Sequence, residues 1–177
     1  MQLKARSGCK TLGRVLLFIR RTAPTARPQT KGLVFFFFFA RMKNERGKKF
    51  VKIYRMHNDR NGKVTENFKV REYACKDGSD LVLVDDELAE LLQQLRDKLG
   101  VLYINSGFRT AEWNDKVGGK PYSYHLAGMA ADIWIKDVSP KKVAQTASEI
   151  LGTHGGVILY TNFVHVDVRK NYYRKGV

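Results

Sequence analysis

The stretch Ser123-Tyr124-His125-Leu126-Ala127-Gly128-Met129-Ala130-Ala131-Asp132, answered later by Phe163-Val164-His165-Val166-Asp167, decides how this chain is read. Ala130 to Ile135 alternates with the two-residue period of a strand, which puts Ala130, Asp132 and Trp134 on one face. His125 precedes that strand by a loop, so a turn must bring its imidazole back over Asp132. Gly128 suits such a turn, or a close approach of substrate backbone. Two imidazoles and one carboxylate, from His125, His165 and Asp132, are the donors of a catalytic zinc site, with the fourth tetrahedral position left to water. Zinc so held lowers the pKa of that water to about 7 and polarises a carbonyl. Asp167 lies two residues after His165 and shares its face. It either orients the imidazole, acts as a general base, or is a surface carboxylate at a strand edge.

Working outward, Leu88, Leu91, Leu92, Leu95 and Leu99 form one apolar stripe and predict a helix from about Asp86 to Leu99. Asp85, Asp86 and Glu87 favour its positive end, and Gly100 stops it. Val101 to Asn105 reads as a strand, and Thr110 to Val117 as a short helix closed by Gly118-Gly119. Ser139 caps a helix that has Pro140 at its first position and runs to about Leu151. Gly155 to Tyr160 and Phe163 to Arg169 read as strands joined by a tight turn at Thr161-Asn162. Lys49 to Tyr54 is a weaker strand, and Asn61-Gly62 a turn. Together these elements predict an α+β fold, a small mainly antiparallel sheet with helices packed on it.

The charge is uneven. The whole chain carries +15, yet residues 1–60 hold 16 Lys and Arg against 2 Asp and Glu, leaving 16 against 15 for the rest. Residues 1–45 are expected to be a basic, low-complexity extension, either disordered or lying upstream of a physiological start at Met42 or Met56. Residues 46–66 are expected as a linker or edge segment, and 67–177 as the domain. A basic arm can hold nucleic acid or an anionic surface, but charge alone is weak support, and nucleic acid is not the expected partner. No run approaches the roughly 20 apolar residues of a membrane helix. Leu33 to Ala40, with five phenylalanines, has the length of a signal-peptide core but lacks an Ala-x-Ala-like cleavage site and runs straight into Arg41. Cys9 and Cys75 make no disulfide framework, and Cys75 reads as a small buried hydrophobe. Trp113 and Trp134 are expected as core or cleft wall, and His57 carries no partner pattern.

Ser-x-His-x-x-Gly-x-Ala-x-Asp followed by His-x-Asp resembles the zinc D-Ala-D-Ala carboxypeptidases and the related phage endolysins and L-Ala-D-Glu peptidases. These share a wider group with lysostaphin-type enzymes and the hedgehog signalling domain. Every fixed position of the first pattern is filled here, Ser106-Gly107-Phe108-Arg109 is similar to the family's Ser-Gly-aromatic-Arg segment, and Gly155-Gly156-Val157 fits before the last motif. The similarity runs from about Asn67 to Arg169. It implies a hedgehog/D-Ala-D-Ala-peptidase-like fold, one Zn2+ on His125, Asp132 and His165, and hydrolysis of peptidoglycan stem peptides at the cell wall, as a D,D-carboxypeptidase or an endolysin-type endopeptidase; the chain is expected as a monomer. It also implies that Arg109 steadies a substrate carbonyl or carboxylate and that Ser123 hydrogen-bonds substrate. Many relatives place a carboxylate three residues before the last histidine, where Asn162 stands here. That leaves Asp167 and His154 as candidate bases, and it keeps open a non-catalytic wall-binding module that retains the metal site.

Overall fold

The computed structural model describes residues 50–177. The expectations for residues 1–45, including the phenylalanine run, lie outside the described residues. The order is β1 (Val51–Arg55), α1 (Met56–Asp59), α2 (Val70–Tyr73), β2 (Leu81–Asp85), α3 (Asp86–Leu99) and β3 (Leu102–Ser106). There follow α4 (Ala111–Lys116), a 3-10 turn (Tyr124–Ala127), β4 (Ala130–Ile135), α5 (Pro140–Leu151), β5 (Gly156–Leu159), β6 (Val164–Asp167) and β7 (Tyr173–Lys175). Among the described residues β1 and β2 form an antiparallel ribbon, and the main sheet has the order β3-β4-β6-β5-β7. Its pairs are antiparallel except β5 with β7. The fold is thus α+β with a mainly antiparallel sheet, as the sequence predicts.

One face of the sheet is the core. Ala131, Ile133 and Ile135 of β4, Val157 of β5, and Val164 and Val166 of β6 are all buried. Against them lie Leu88, Leu91, Leu92 and Leu95 of α3 and Val143, Ala144, Ala147 and Leu151 of α5. Each leucine fully buried in this way contributes roughly 1.5–3 kcal/mol. The Asp85 carboxylate accepts the Glu87 amide at 2.8 Å and starts α3, while Ser139 accepts from Lys142 and starts α5. Gly100 ends α3 at φ +104°.

Strands β2 and β7 were not anticipated, whereas β1 falls on the weaker strand expected from Lys49 to Tyr54. β2, Leu-Val-Leu-Val-Asp, is buried at Val82, Leu83 and Val84, so it shows no alternation, and it runs into α3 without a loop. β1 pairs with it from Val51↔Asp85 to Arg55↔Leu81, so residues 50–66 begin with the edge strand of a ribbon. Val51, Tyr54, Met56 and Val64 pack on the same core as the later elements. β7 has three mostly exposed residues, and its pairing with β5 carries no hydrophobic signature.

Candidate metal centre

The outer face of the sheet carries the chemistry. Asp132 on β4 stands directly across from His165 on β6, and Ala130 across from Asp167. Side chains two apart share a face, so His165, Asp167 and Arg169 follow one another along one side of the chain. His125 arrives from above the sheet. Ser123 Oγ accepts the His125 amide at 3.4 Å and opens the 3-10 turn, which Gly128 closes in the left-handed region at φ +67°. A Cβ on Gly128 would lie 2.4 Å from the Leu83 carbonyl oxygen, so the close backbone approach there is by β2.

Three donor atoms converge. His125 Nε2 is 3.2 Å from His165 Nδ1 and 3.3 Å from Asp132 Oδ1, and His165 Nδ1 is 2.8 Å from Asp132 Oδ1. A tetrahedral zinc with bonds of about 2.0–2.1 Å needs its donors about 3.3 Å apart, so the triangle fits such an ion. The side chains are 2%, 13% and 13% exposed for His125, Asp132 and His165, so the group is sheltered yet reachable.

The atoms behind the donors are also committed. His125 Nδ1 donates to the Gly107 carbonyl at 2.7 Å, which leaves Nε2 with its lone pair inward. His165 Nε2 donates to Asp167 Oδ2 at 3.2 Å, leaving Nδ1 inward in the same way. Asp132 Oδ2 accepts from Arg109 Nη2, and Arg109 Nε donates to Ser106 Oγ at 2.8 Å. Arg169 grips Asp167 with two parallel bonds, Nε to Oδ1 at 2.7 Å and Nη2 to Oδ2 at 2.6 Å. Its guanidinium carbon lies 4.6 Å from the Tyr124 ring centre and 4.8 Å from that of Tyr173. Gly107 is forced by a close approach, since a Cβ there would meet the Tyr73 carbonyl oxygen at 2.7 Å. Gly156 makes room for Asp167, whose Oδ2 would lie 2.2 Å from an added Cβ.

Electrostatics follows the contacts. Burial by itself raises Asp132, but the two imidazoles beside it, His125 and His165, outweigh it and hold the carboxyl well below the usual range. Burial also raises Asp167, and hydrogen bonds from His165 and Arg169 overturn that, bringing it to about 2. Burial lowers His165, yet its bonds to Asp132 and Asp167 push it up on balance.

Ser123, His125, Asp132, His165, Asp167 and Arg109 are therefore gathered in one place. His154 and Asn162 are not among the groups that touch the triangle. His154 Nε2 bonds Glu87 Oε1 at 2.7 Å, at the start of α3. Asn162 is exposed in the turn before β6, beside Trp134 and Phe163, and three residues of strand separate it from His165 by roughly 10 Å. Gly107, Gly156 and Arg169 were not foreseen as parts of the site. Arg169 was readable, because the two-residue step from His165 to Asp167 lands next on Arg169. The Gly107 carbonyl leaves no side-chain signal.

A protein-family model described as Peptidase M15 matches residues 63–167, more than half of the chain and a span that includes all three donors. No curated protein matches the sequence. The chain belongs to the Peptidase M15 family, and by that membership it is a metallopeptidase.

Proposed function

We propose that this chain hydrolyses peptide bonds in peptidoglycan stem peptides, with zinc on His125 Nε2, Asp132 Oδ1 and His165 Nδ1. The observation that carries the reading is the convergence of three donors, each of whose outer atoms is already held by the fold. When bound, zinc supplies a water acidic enough to attack at neutral pH and polarises the scissile carbonyl. The protein's own groups hold and position. Arg109 spends Nε and Nη2 on Ser106 and Asp132, and among the described residues its Nη1 makes no hydrogen bond. That N–H is the donor for a carbonyl oxygen as it gains charge. Ser123 Oγ accepts from the turn and keeps its own O–H to donate to substrate. Asp167 is buried, doubly bonded to Arg169 and strongly acidic, so it is a poor proton acceptor at pH 7. Its role in this reading is to hold the His165 ring and its tautomer. The folded peptidase unit is residues 50–177, in which β1 belongs to the domain.

A second reading, a wall-binding module that keeps the metal site without turnover, is favoured by Asn162 at the position of a common carboxylate. Mass spectrometry of muropeptides after digestion of purified wall separates the two. Zinc-loaded protein is expected to release D-Ala or cut stem peptides, and His125→Ala to release neither. Sedimentation with wall, with no product above the His125→Ala background, would establish the binding module instead.

A further inference from the structure

Beside the metal centre, on the outer side of edge strand β3, lies a cleft of about 480 Å³. Its walls come from the segment of α1 and α2 and from β3, and they include Arg60, Arg71, Lys76, Glu72, Tyr103 and Ser106. Three features set it apart. Its cations outnumber its carboxylates three to one, and among the described residues none of Arg60, Arg71 and Lys76 forms an ion pair. The carboxylate, Glu72, is turned to the backbone, accepting the Lys69 amide at 2.7 Å. The backbones of the two arginines are tied, the Arg71 amide donating to the Arg60 carbonyl at 3.3 Å, and the Arg71 guanidinium is held by Nη1 donating to Asn61 Oδ1 at 2.5 Å.

The cleft also opens on two groups suited to a peptide. β3 is the end of the main sheet, so its backbone away from β4 has no strand partner among the described residues. An extended chain can add to such an edge through its own amides and carbonyls. Ser106, at the inner end of the cleft, accepts Arg109 Nε and stands opposite Asp132. The cleft therefore joins the donor triangle across about two strand spacings, roughly 10 Å. That is the reach of about three extended residues.

We propose that this cleft is a subsite for a free carboxylate on the substrate peptide, about three residues from the bond cut. Arg60, Arg71 and Lys76 bind the anion while the peptide lies along the open edge of β3. The inference deepens the peptide-hydrolase reading and rests on it for the identity of the ligand. Charge complementarity selects the occupant, since an anionic peptide meets unpaired cations and a neutral one leaves them idle.

Two synthetic pentapeptides test it: L-Ala-γ-D-Glu-L-Lys-D-Ala-D-Ala with its free α-carboxylate on the second residue, and the same peptide with that group as carboxamide. Binding to the full zinc-loaded chain is read by calorimetry at low salt, and cleavage by mass spectrometry of the same mixtures. The carboxylate peptide is expected to bind about 10-fold tighter, a ratio that shrinks with salt. The ratio is expected to fall to about one in Arg60→Gln/Arg71→Gln/Lys76→Gln. If that variant does not keep its melting temperature, Lys76→Gln alone, at an exposed position, should still reduce the ratio about 2-fold. Equal binding of both peptides, binding of neither, or a preference unchanged in the variants overturns the subsite. Preference without cleavage supports the subsite and overturns the hydrolase reading. Cleavage of both peptides without preference does the reverse.

Discussion

Gly156→Ala perturbs the metal centre without touching a donor. Gly156 stands across from Asp167 in the β5–β6 ladder, and an added Cβ would lie 2.2 Å from Asp167 Oδ2 and 2.7 Å from its Cγ. Real Cβ contacts do not fall below 3.0 Å, so from 2.2 Å the carboxylate must retreat by about 0.8 Å. It has little freedom, being fully buried and gripped by Arg169 at 2.7 and 2.6 Å. The atom displaced is the one that holds His165 Nε2 at an already long 3.2 Å, so that bond is the weakest link and breaks. Loss of such an orienting contact typically weakens metal binding 10–100-fold, roughly 1.4–2.8 kcal/mol. Overpacking of this kind also costs about 1–3 kcal/mol of stability. Zinc affinity is read by competition with a chromogenic chelator, and the fold by circular dichroism and thermal melting. Gly100→Ala is the control: it strains a left-handed position with nothing within 4 Å, so it should lower the melting temperature and leave zinc affinity alone. A Gly156→Ala protein that folds normally and binds zinc as tightly as wild type would refute the idea that Asp167 holds the site through His165.

Asp167→Asn separates positioning from proton transfer: a positioning role predicts 10–100-fold weaker zinc binding with most turnover restored at saturating zinc, whereas a general base predicts a loss of about 10²–10⁴-fold that zinc does not rescue. Tyr73→Phe is expected to be neutral or stabilising by up to about 1–2 kcal/mol in chemical denaturation, because the buried Tyr73 hydroxyl has no hydrogen-bond partner among the described residues; a loss of 2 kcal/mol or more would mean the hydroxyl is satisfied. A chain beginning at Met42 is expected to keep its melting temperature, whereas one beginning at Met56 loses β1, leaves β2 unpaired and unfolds at lower temperature. Equal melting of the two would show that the ribbon contributes nothing. For the metal-free protein, Asp167 has its carboxyl lowered from 3.8 to about 2 in the fold, so its stabilisation is present above the unfolded value and is lost as pH falls from about 4 to 2. The shift corresponds to about 2 kcal/mol at neutral pH, and acid titration of Asp167→Asn should show a correspondingly flatter decline than wild type.

The helices α3 and α5 and the strand β4 have the bounds that caps and periodicity predict, Asp86–Leu99, Pro140–Leu151 and Ala130–Ile135. Each is specified locally, by leucines on one helical stripe, by a serine or aspartate cap, or by strict alternation. β2 and β7 escaped for opposite reasons. β2 is apolar on both faces, so no period marks it, and β7 is polar and short, so only its partner β5 makes it a strand. The family was likewise legible, as was the group of His125, Asp132 and His165 that the fold brings together, since residue type and spacing survive in one dimension. What the fold alone decided is how those residues meet. The antiparallel register sets Asp132 against His165, the capped turn from Ser123 to Gly128 lowers His125 onto them, and Arg169 between two tyrosine rings pins Asp167. Asn162, three residues from His165 in sequence, lies a strand's length away, while Gly107 is 18 residues from His125 and is its hydrogen-bond partner. The chain's sequence determined which groups are available. Strand pairing and loop closure determined which of them touch, because those are contacts between residues far apart along the chain, and no local pattern encodes them.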